Sequence, residues 1–206
     1  MAMKSEKIRK LVTMAMLAAL SIVLVYVVHF FPAAPFLEYD PADIPILIGT
    51  FAYGPVAGII LTVVVSVIQG MTVSASSGFM GIAMHIFATS ILVLVAGNIY
   101  RLKHTKKGAV IALICGVAAM TAGMVVFNYF ITPYFITPDI ADAAAVAANR
   151  DFVKTLLVPV IIPFNLIKAG VNGLVTFLVY KTVSRHLVHG EGWEKRPKLN
   201  QVQTEQ

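Results

Sequence analysis

Apolar runs about as long as a bilayer is thick, broken by three blocks of Lys and Arg, make up most of this chain. A helix needs about 20 apolar residues to cross a hydrocarbon core roughly 30 Å thick. Of the 206 residues, 58% are hydrophobic and only 13% charged, and the mean hydropathy is +0.83. A soluble domain averages about 45–50% apolar and about 25% charged residues. The expected fold is an all-α integral membrane protein, a single membrane domain over residues 1–206.

Helices are expected at 8–30, 43–53, 55–71, 79–100, 108–131 and 155–184, followed by a polar tail over 187–206. The second and third are short and parted by "YGP" at 53–55, where Gly54 and Pro55 favour a tight turn over one kinked helix. Charge decides between the two. Thirteen of the sixteen Lys and Arg fall in three blocks: Lys4, Lys7, Arg9 and Lys10; Arg101, Lys103, Lys106 and Lys107; Lys181, Arg185, Lys195, Arg196 and Lys198. Six transmembrane helices put all three blocks on one side, with N and C termini cytoplasmic, as the positive-inside rule requires. Five would set the first block against the other two. The loops then left outside, at 31–42, 72–78 and 132–154, hold Glu38, Asp40, Asp139, Asp142 and Asp151 against Arg150 and Lys154. The first segment has basic residues before it, as in a signal peptide, but its apolar run is about twenty residues long and suits a spanning helix. A sequence pI of 9.5 in a chain organised this way reflects cytoplasmic loops, so no nucleic acid is expected as a partner.

Several chemistries are missing. No G-x-x-x-x-G-K-[ST] loop is present to bind a nucleotide phosphate. No H-E-x-x-H or paired Cys/His spacing offers a metal site, Cys115 is the only cysteine, and His29, His85, His104, His186 and His189 are dispersed. No Asp or Glu is expected deep in a helix, so neither catalysis nor a self-sufficient proton-coupled carrier is expected. The two halves show no inverted repeat.

A ligand-binding role has specific support in "PFNLIKAGVN", residues 163–172. There Asn165, Lys168 and Asn172 share one helix face, being three and four residues apart. An ionised Lys at bilayer depth costs about 2.5–3.5 kcal/mol, which points it to the bundle interior. The alternative is a Lys paired with a backbone carbonyl for structure alone. Asn172, beside the small residues of "AGVNG", reads as packing glue. Asn128 lies near the outer end of the fifth helix, among Phe127, Tyr129, Phe130, Tyr134 and Phe135, where tyrosines form an interfacial belt. Two amides and an ammonium beneath aromatic rings suit the edge of a planar, neutral heterocycle. In the loop "FPAAPFLEYDPADIP", Phe36 and Leu37 offer apolar cover and Glu38 can accept ligand hydroxyls. Asp40 and Asp43 read as the cap of the second helix.

The loop "EYDPADIP" before a short second helix, "AMLAAL" with Ala15 and Ala19 spaced as AxxxA, the six-helix layout and "NLIK" in the last helix together resemble a known family. They are similar to the substrate-binding S components of energy-coupling factor (ECF) vitamin transporters, above all the riboflavin-specific members. The resemblance runs from about residue 5 to 186. It implies capture of riboflavin from outside a prokaryotic cytoplasmic membrane, with riboflavin as transported ligand and no cofactor. Partners it implies are a transmembrane coupling protein and two cytoplasmic ATPase subunits. By position it gives Asn128, Asn165 and Lys168 to the isoalloxazine edge, Leu37 and Glu38 to the lid, with Glu38 toward the ribityl chain, and Ala15 and Ala19 to the coupling protein. For those two alanines, packing inside the chain is the alternative. An S component for thiamine, biotin or folate would share the fold.

Overall fold

The structure, a computed structural model, describes residues 2–28 and 37–187, with side chains except at 2–5, 76 and 181–187. His29, Phe36 and the polar tail beyond 187 lie outside the described residues. The elements are α1 (Ala2–Val27), α2 (Asp43–Tyr53), α3 (Pro55–Met71), α4 (Gly78–Leu102), α5 (Lys106–Phe130), the short α6 (Thr132–Ile136), α7 (Ala143–Leu156) and α8 (Ile162–Leu187). A 3-10 turn at Ala75–Ser77 precedes α4, and a π turn at Leu157–Ile161 joins α7 to α8. No β-strand occurs among the described residues. Helices are the solution lipid imposes, because each backbone N–H and C=O must be bonded within its own segment.

Among the described residues, four stretches are long and apolar enough to cross a bilayer: Glu6–Val27, Gly78–Leu102, Lys106–Phe130 and Ala143–Tyr180. α2 and α3, with 11 and 17 residues, extend about 16 and 26 Å at 1.5 Å per residue. Their limits are those expected, and the chain does turn between them. Gly54 takes φ +91, a region that a Cβ disfavours, and Pro55 opens α3, where a missing N–H costs nothing. The two helices then run antiparallel, Gly58 against Thr50 and Leu61 against Gly49.

α2 is the axle of the bundle. It packs on α1, α3, α4 and α8, and its residues Asp43 and Pro45 to Phe51 are buried. With lipid as apolar as leucine, close approach of backbones does much of the work. A Cβ on Gly58 would run into the side chains of Thr50 and Val93. Around α2, Leu47, Leu92, Met120 and Ala169 form one part of the core, and Leu17, Ile46, Leu61 and Val65 the other. The end bearing the α4–α5 turn is plugged by Phe51, Tyr100 and Tyr180, with ring centroids 4.5 to 5.9 Å apart. The opposite end, bearing residues 37–42 and the α3–α4 turn, is polar within.

Two expectations need correction. The stretch 132–154, expected as a loop, is largely helical. Asp142 caps α7 by accepting from the backbone N–H groups of Ala144 and Ala145, and the alanines that follow are strong helix formers. The last helix does not start afresh at 155 either. α7 and α8 are nearly continuous, and the π turn absorbs Pro159, which has no N–H for the regular ladder.

Candidate functional site

At its polar end the bundle encloses a cavity of about 70 Å³. Its apolar wall comes from Leu37, Met84, Met120, Met124, Phe135 and Phe164. Polar groups enter from three sides: Glu38 and Asp40 from the first loop, Gln69, Ser74, Ser77 and His85 from α3, α4 and the turn between them, and Asn165 and Lys168 from α8.

The face expected on the last helix is present. Asn165, Lys168 and Asn172 are 2%, 8% and 0% exposed. Lys168 Nζ donates to Glu38 O and to Asp40 Oδ2, each at 3.1 Å, so two of its three hydrogens are used and its charge is paired. The structural alternative for Lys168 therefore holds in part, since a backbone carbonyl is one of its acceptors. Asn165 donates to Ile161 O in the preceding turn at 2.8 Å and lines the cavity. Asn172 fastens the loop, as packing glue should. Its amide donates to Asp40 O at 3.0 Å and Asp43 Oδ2 at 3.3 Å, and accepts from Tyr39 Oη at 3.2 Å. Burial, and next the charge of Asp40, hold the Tyr39 hydroxyl above its ordinary pKa, so it remains a donor.

Leu37 is 2% exposed and covers the cavity. The Glu38 carboxylate accepts from Ser74 Oγ in a short hydrogen bond and from Ser77 Oγ at 3.4 Å, tying the first loop to the α3–α4 turn. Asn128 is fully buried but is not brought to the cavity wall. Its Nδ2 donates to Met124 O at 2.8 Å and its Oδ1 accepts from Thr132 Oγ1 at 2.9 Å. Ala15 and Ala19 are exposed on α1, on the side away from its buried stripe of Thr13, Leu17, Ser21 and Val25. They do not pack inside the chain.

The expectation that no acid lies inside the bundle is overturned. Asp40 is 2% and Asp43 0% exposed. α2 covers only about half the thickness of a bilayer, so the loop before it descends to the level of Lys168. The cap expected of these two acids does not form: Ala42 precedes α2 and offers it no side-chain cap, Asp40 instead accepts from Ala42 N at 3.1 Å outside the helix, and Asp43 begins α2 and accepts from Thr89 Oγ1 at 2.6 Å. The polar wall from α3 and α4 was not anticipated. Ser66, Gln69 and His85 lie at i, i+3 and across a turn in a stretch without other charge, and only the packing of α3 on α4 assembles them.

No group of three or more His, Cys, Asp or Glu suited to a metal occurs among the described residues. What the cavity can do is bind: it has a paired ammonium with one hydrogen in reserve, amide and hydroxyl groups, and apolar faces.

Comparison with known proteins agrees with this geometry. The model of the family "ECF transporter, substrate-specific component" matches residues 9–180. The chain is 30% identical to the riboflavin transporter FmnP of Bacillus subtilis, over 84% of this chain and 91% of that protein. It is also 30% identical to the riboflavin transporter RibU of Staphylococcus aureus, over 87% and 92%. A solved S component of a bacterial ECF transporter superposes with a TM-score of 0.69 at 29% identity, covering 87% of this chain and 97% of that one.

Proposed function

Because the chain belongs to the substrate-specific components of ECF transporters, multi-pass membrane proteins that bind a transported substrate and are not enzymes, we propose that its substrate is riboflavin and that the cavity beneath the first loop binds it. The observation that carries this reading is the cavity's composition. Amide and paired-ammonium donors face apolar and aromatic walls, in a chain 30% identical to named riboflavin transporters over most of its length.

An isoalloxazine edge is planar and uncharged and alternates donors with acceptors. Asn165 supplies both kinds of group, and Lys168 supplies its remaining N–H. With Lys168 neutralised by Asp40, and Asp43 and Glu38 nearby, a neutral ligand is favoured over a phosphorylated one. Phe135 and Phe164 offer ring faces for stacking. Asn128 would act from behind the wall, through Thr132 and the backbone of Met124, unless the ligand draws it inward. At about 70 Å³ the cavity is smaller than the roughly 300–1,000 Å³ of small-molecule sites. Riboflavin must therefore part the Glu38 ties to Ser74 and Ser77, which makes residues 37–40 the lid and puts the ribityl hydroxyls within reach of Glu38.

Six membrane crossings, with α2 and α3 as a short pair and both termini cytoplasmic, place every basic block inside. Ala15 and Ala19, exposed on α1 beside Leu11, Val12 and Met16, would meet a transmembrane coupling protein, and two cytoplasmic ATPases would supply the energy. The test is a visible absorption and fluorescence spectrum of detergent-purified protein, then titration with riboflavin. Stoichiometric quenching that Asn165→Ala weakens is the expected result. No quenching by riboflavin, with quenching or heat release on adding thiamine, biotin or folate, would replace the substrate and keep the fold.

A further inference from the structure

His85 stands on α4 with its side chain 9% exposed, at the meeting of α2, α3, α4 and α8. Its Nδ1 lies 2.7 Å from Ser66 Oγ, and the same hydroxyl is 2.6 Å from the carbonyl oxygen of Thr62. A hydroxyl has one hydrogen and a carbonyl can only accept. That hydrogen therefore goes to Thr62, and Ser66 turns a lone pair toward the ring. Nδ1 must carry a hydrogen of its own.

The other ring nitrogen settles the charge. Nε2 lies 3.7 Å from Asp40 Oδ1 and 3.6 Å from Asp43 Oδ1, is buried and has no hydrogen-bond partner. All four oxygens of these acids already accept: Asp40 from Ala42 N and Lys168 Nζ, Asp43 from Thr89 Oγ1 and Asn172 Nδ2. Four donors, one of them an ammonium, on four oxygens is the arrangement that favours the ionised form of both acids. A bare Nε2 would turn its lone pair on two buried carboxylates, whereas a protonated one would sit between them as their counter-ion.

We infer that His85 is a doubly protonated imidazolium, and that with Lys168 it is the positioning residue that holds the first loop over the substrate cavity. The groups facing it are Asp40 from the loop, Asp43 from α2, Lys168 from α8, and the neutral Ser66 and Gln69 from α3; Glu38 and Tyr39 flank Asp40, and α5 offers Met120 and Met124. Asp40 and Asp43 against Lys168 and His85 make a neutral quartet. Without the second proton one negative charge is left over in a buried site, and its relief is for Asp40 to withdraw toward water, taking the lid with it. Tight substrate binding is therefore coupled to the proton on His85.

The link to substrate affinity rests on the riboflavin reading, but the charge of His85 does not, so two measurements are needed. In ¹⁵N-histidine NMR of the substrate-free wild-type protein, the ring signal absent from His85→Gln identifies His85. At about pH 7.5, where an ordinary histidine is about nine-tenths neutral, both its nitrogens are expected at protonated shifts. A bare-nitrogen shift there overturns the inference, whether or not riboflavin binds. In riboflavin titrations, His85→Gln is expected to weaken binding about tenfold or more by leaving a buried charge uncompensated. His85→Gln with Asp43→Asn, which removes one charge of each sign, is expected to return most of that affinity. A merely space-filling His85 predicts that the double variant is worse than the single, which would sink the positioning role. Failure of the wild type itself to bind riboflavin would count against the substrate, with the NMR result still deciding His85.

Discussion

Lys168 does two jobs at once, and a substitution there must be read accordingly. It is one of the cations that hold Asp40 in the bundle, through a 3.1 Å contact, and it offers a donor to the cavity. Lys168→Ala strands buried carboxylates, for which a cost of about 3–5 kcal/mol is usual. Thermal unfolding in detergent is expected to show that loss, and Lys168→Ala with Asp40→Ala to recover much of it. Asn165 is different, because its intrahelical bond to Ile161 leaves the helix intact when the side chain is cut. Asn165→Ala is expected to leave the unfolding temperature nearly unchanged and to weaken riboflavin binding by about 1–3 kcal/mol, the cost of an unpaired polar group in the site. Fluorescence titration beside a melting curve separates the two effects. If Asn165→Ala bound riboflavin as the wild type does, the α8 face would lose its claim to the isoalloxazine edge.

Among the elements, α2 decides the character of the site. A full-length spanning helix there would carry residues 37–42 up to the water, and Asp40 could not meet Lys168. The short helix is fixed at its far end by Gly54, whose φ of +91 suits no side chain, and by the contact of Gly58 with Thr50 and Val93. Gly58→Leu is expected to force α2 from α3 and to abolish riboflavin binding from a distance. Gly54→Ala is expected to cost about 1–3 kcal/mol from backbone strain alone, since φ +91 with ψ 170 is open essentially to glycine. Melting temperatures of the two variants test this ordering, and a harmless Gly58→Leu would show that α2 and α3 do not rely on backbone approach.

The whole molecule presents two separate surfaces, the cavity proposed for the substrate at one end and the exposed Ala15 and Ala19 face along α1. If the second meets the coupling protein, Ala15→Trp with Ala19→Trp is expected to leave riboflavin titration of the isolated protein unchanged and to abolish ATP-driven uptake in cells carrying the whole transporter. Unchanged uptake would move the docking surface elsewhere. The topology has its own test in the α4–α5 turn. With Cys115 replaced by Ala, Thr105→Cys is expected to react in whole cells only with a membrane-permeant maleimide, and labelling by an impermeant one would overturn the cytoplasmic assignment.

Local pattern determined much of this protein. Hydropathy marked the apolar helices, "YGP" marked the break between α2 and α3, and the spacing of Asn165, Lys168 and Asn172 placed them on one buried face, since helical periodicity is a property of neighbours along the chain. The capping of α7 by Asp142 is written just as locally, in a stretch whose charges and prolines otherwise suit a loop. Tertiary structure alone decided what the buried face would meet. Lys168 finds Asp40 128 residues away and Asn172 finds Asp40 and Asp43 at 132 and 129. Those pairings depend on how deep a short α2 draws its loop, and no periodicity records depth. In the sequence His85 is one of several dispersed histidines, because its meaning lies in two aspartates and a serine supplied by other elements, and Asn128, conspicuous among its aromatics, is turned by the packing of α5 and α6 toward Thr132 instead of the cavity.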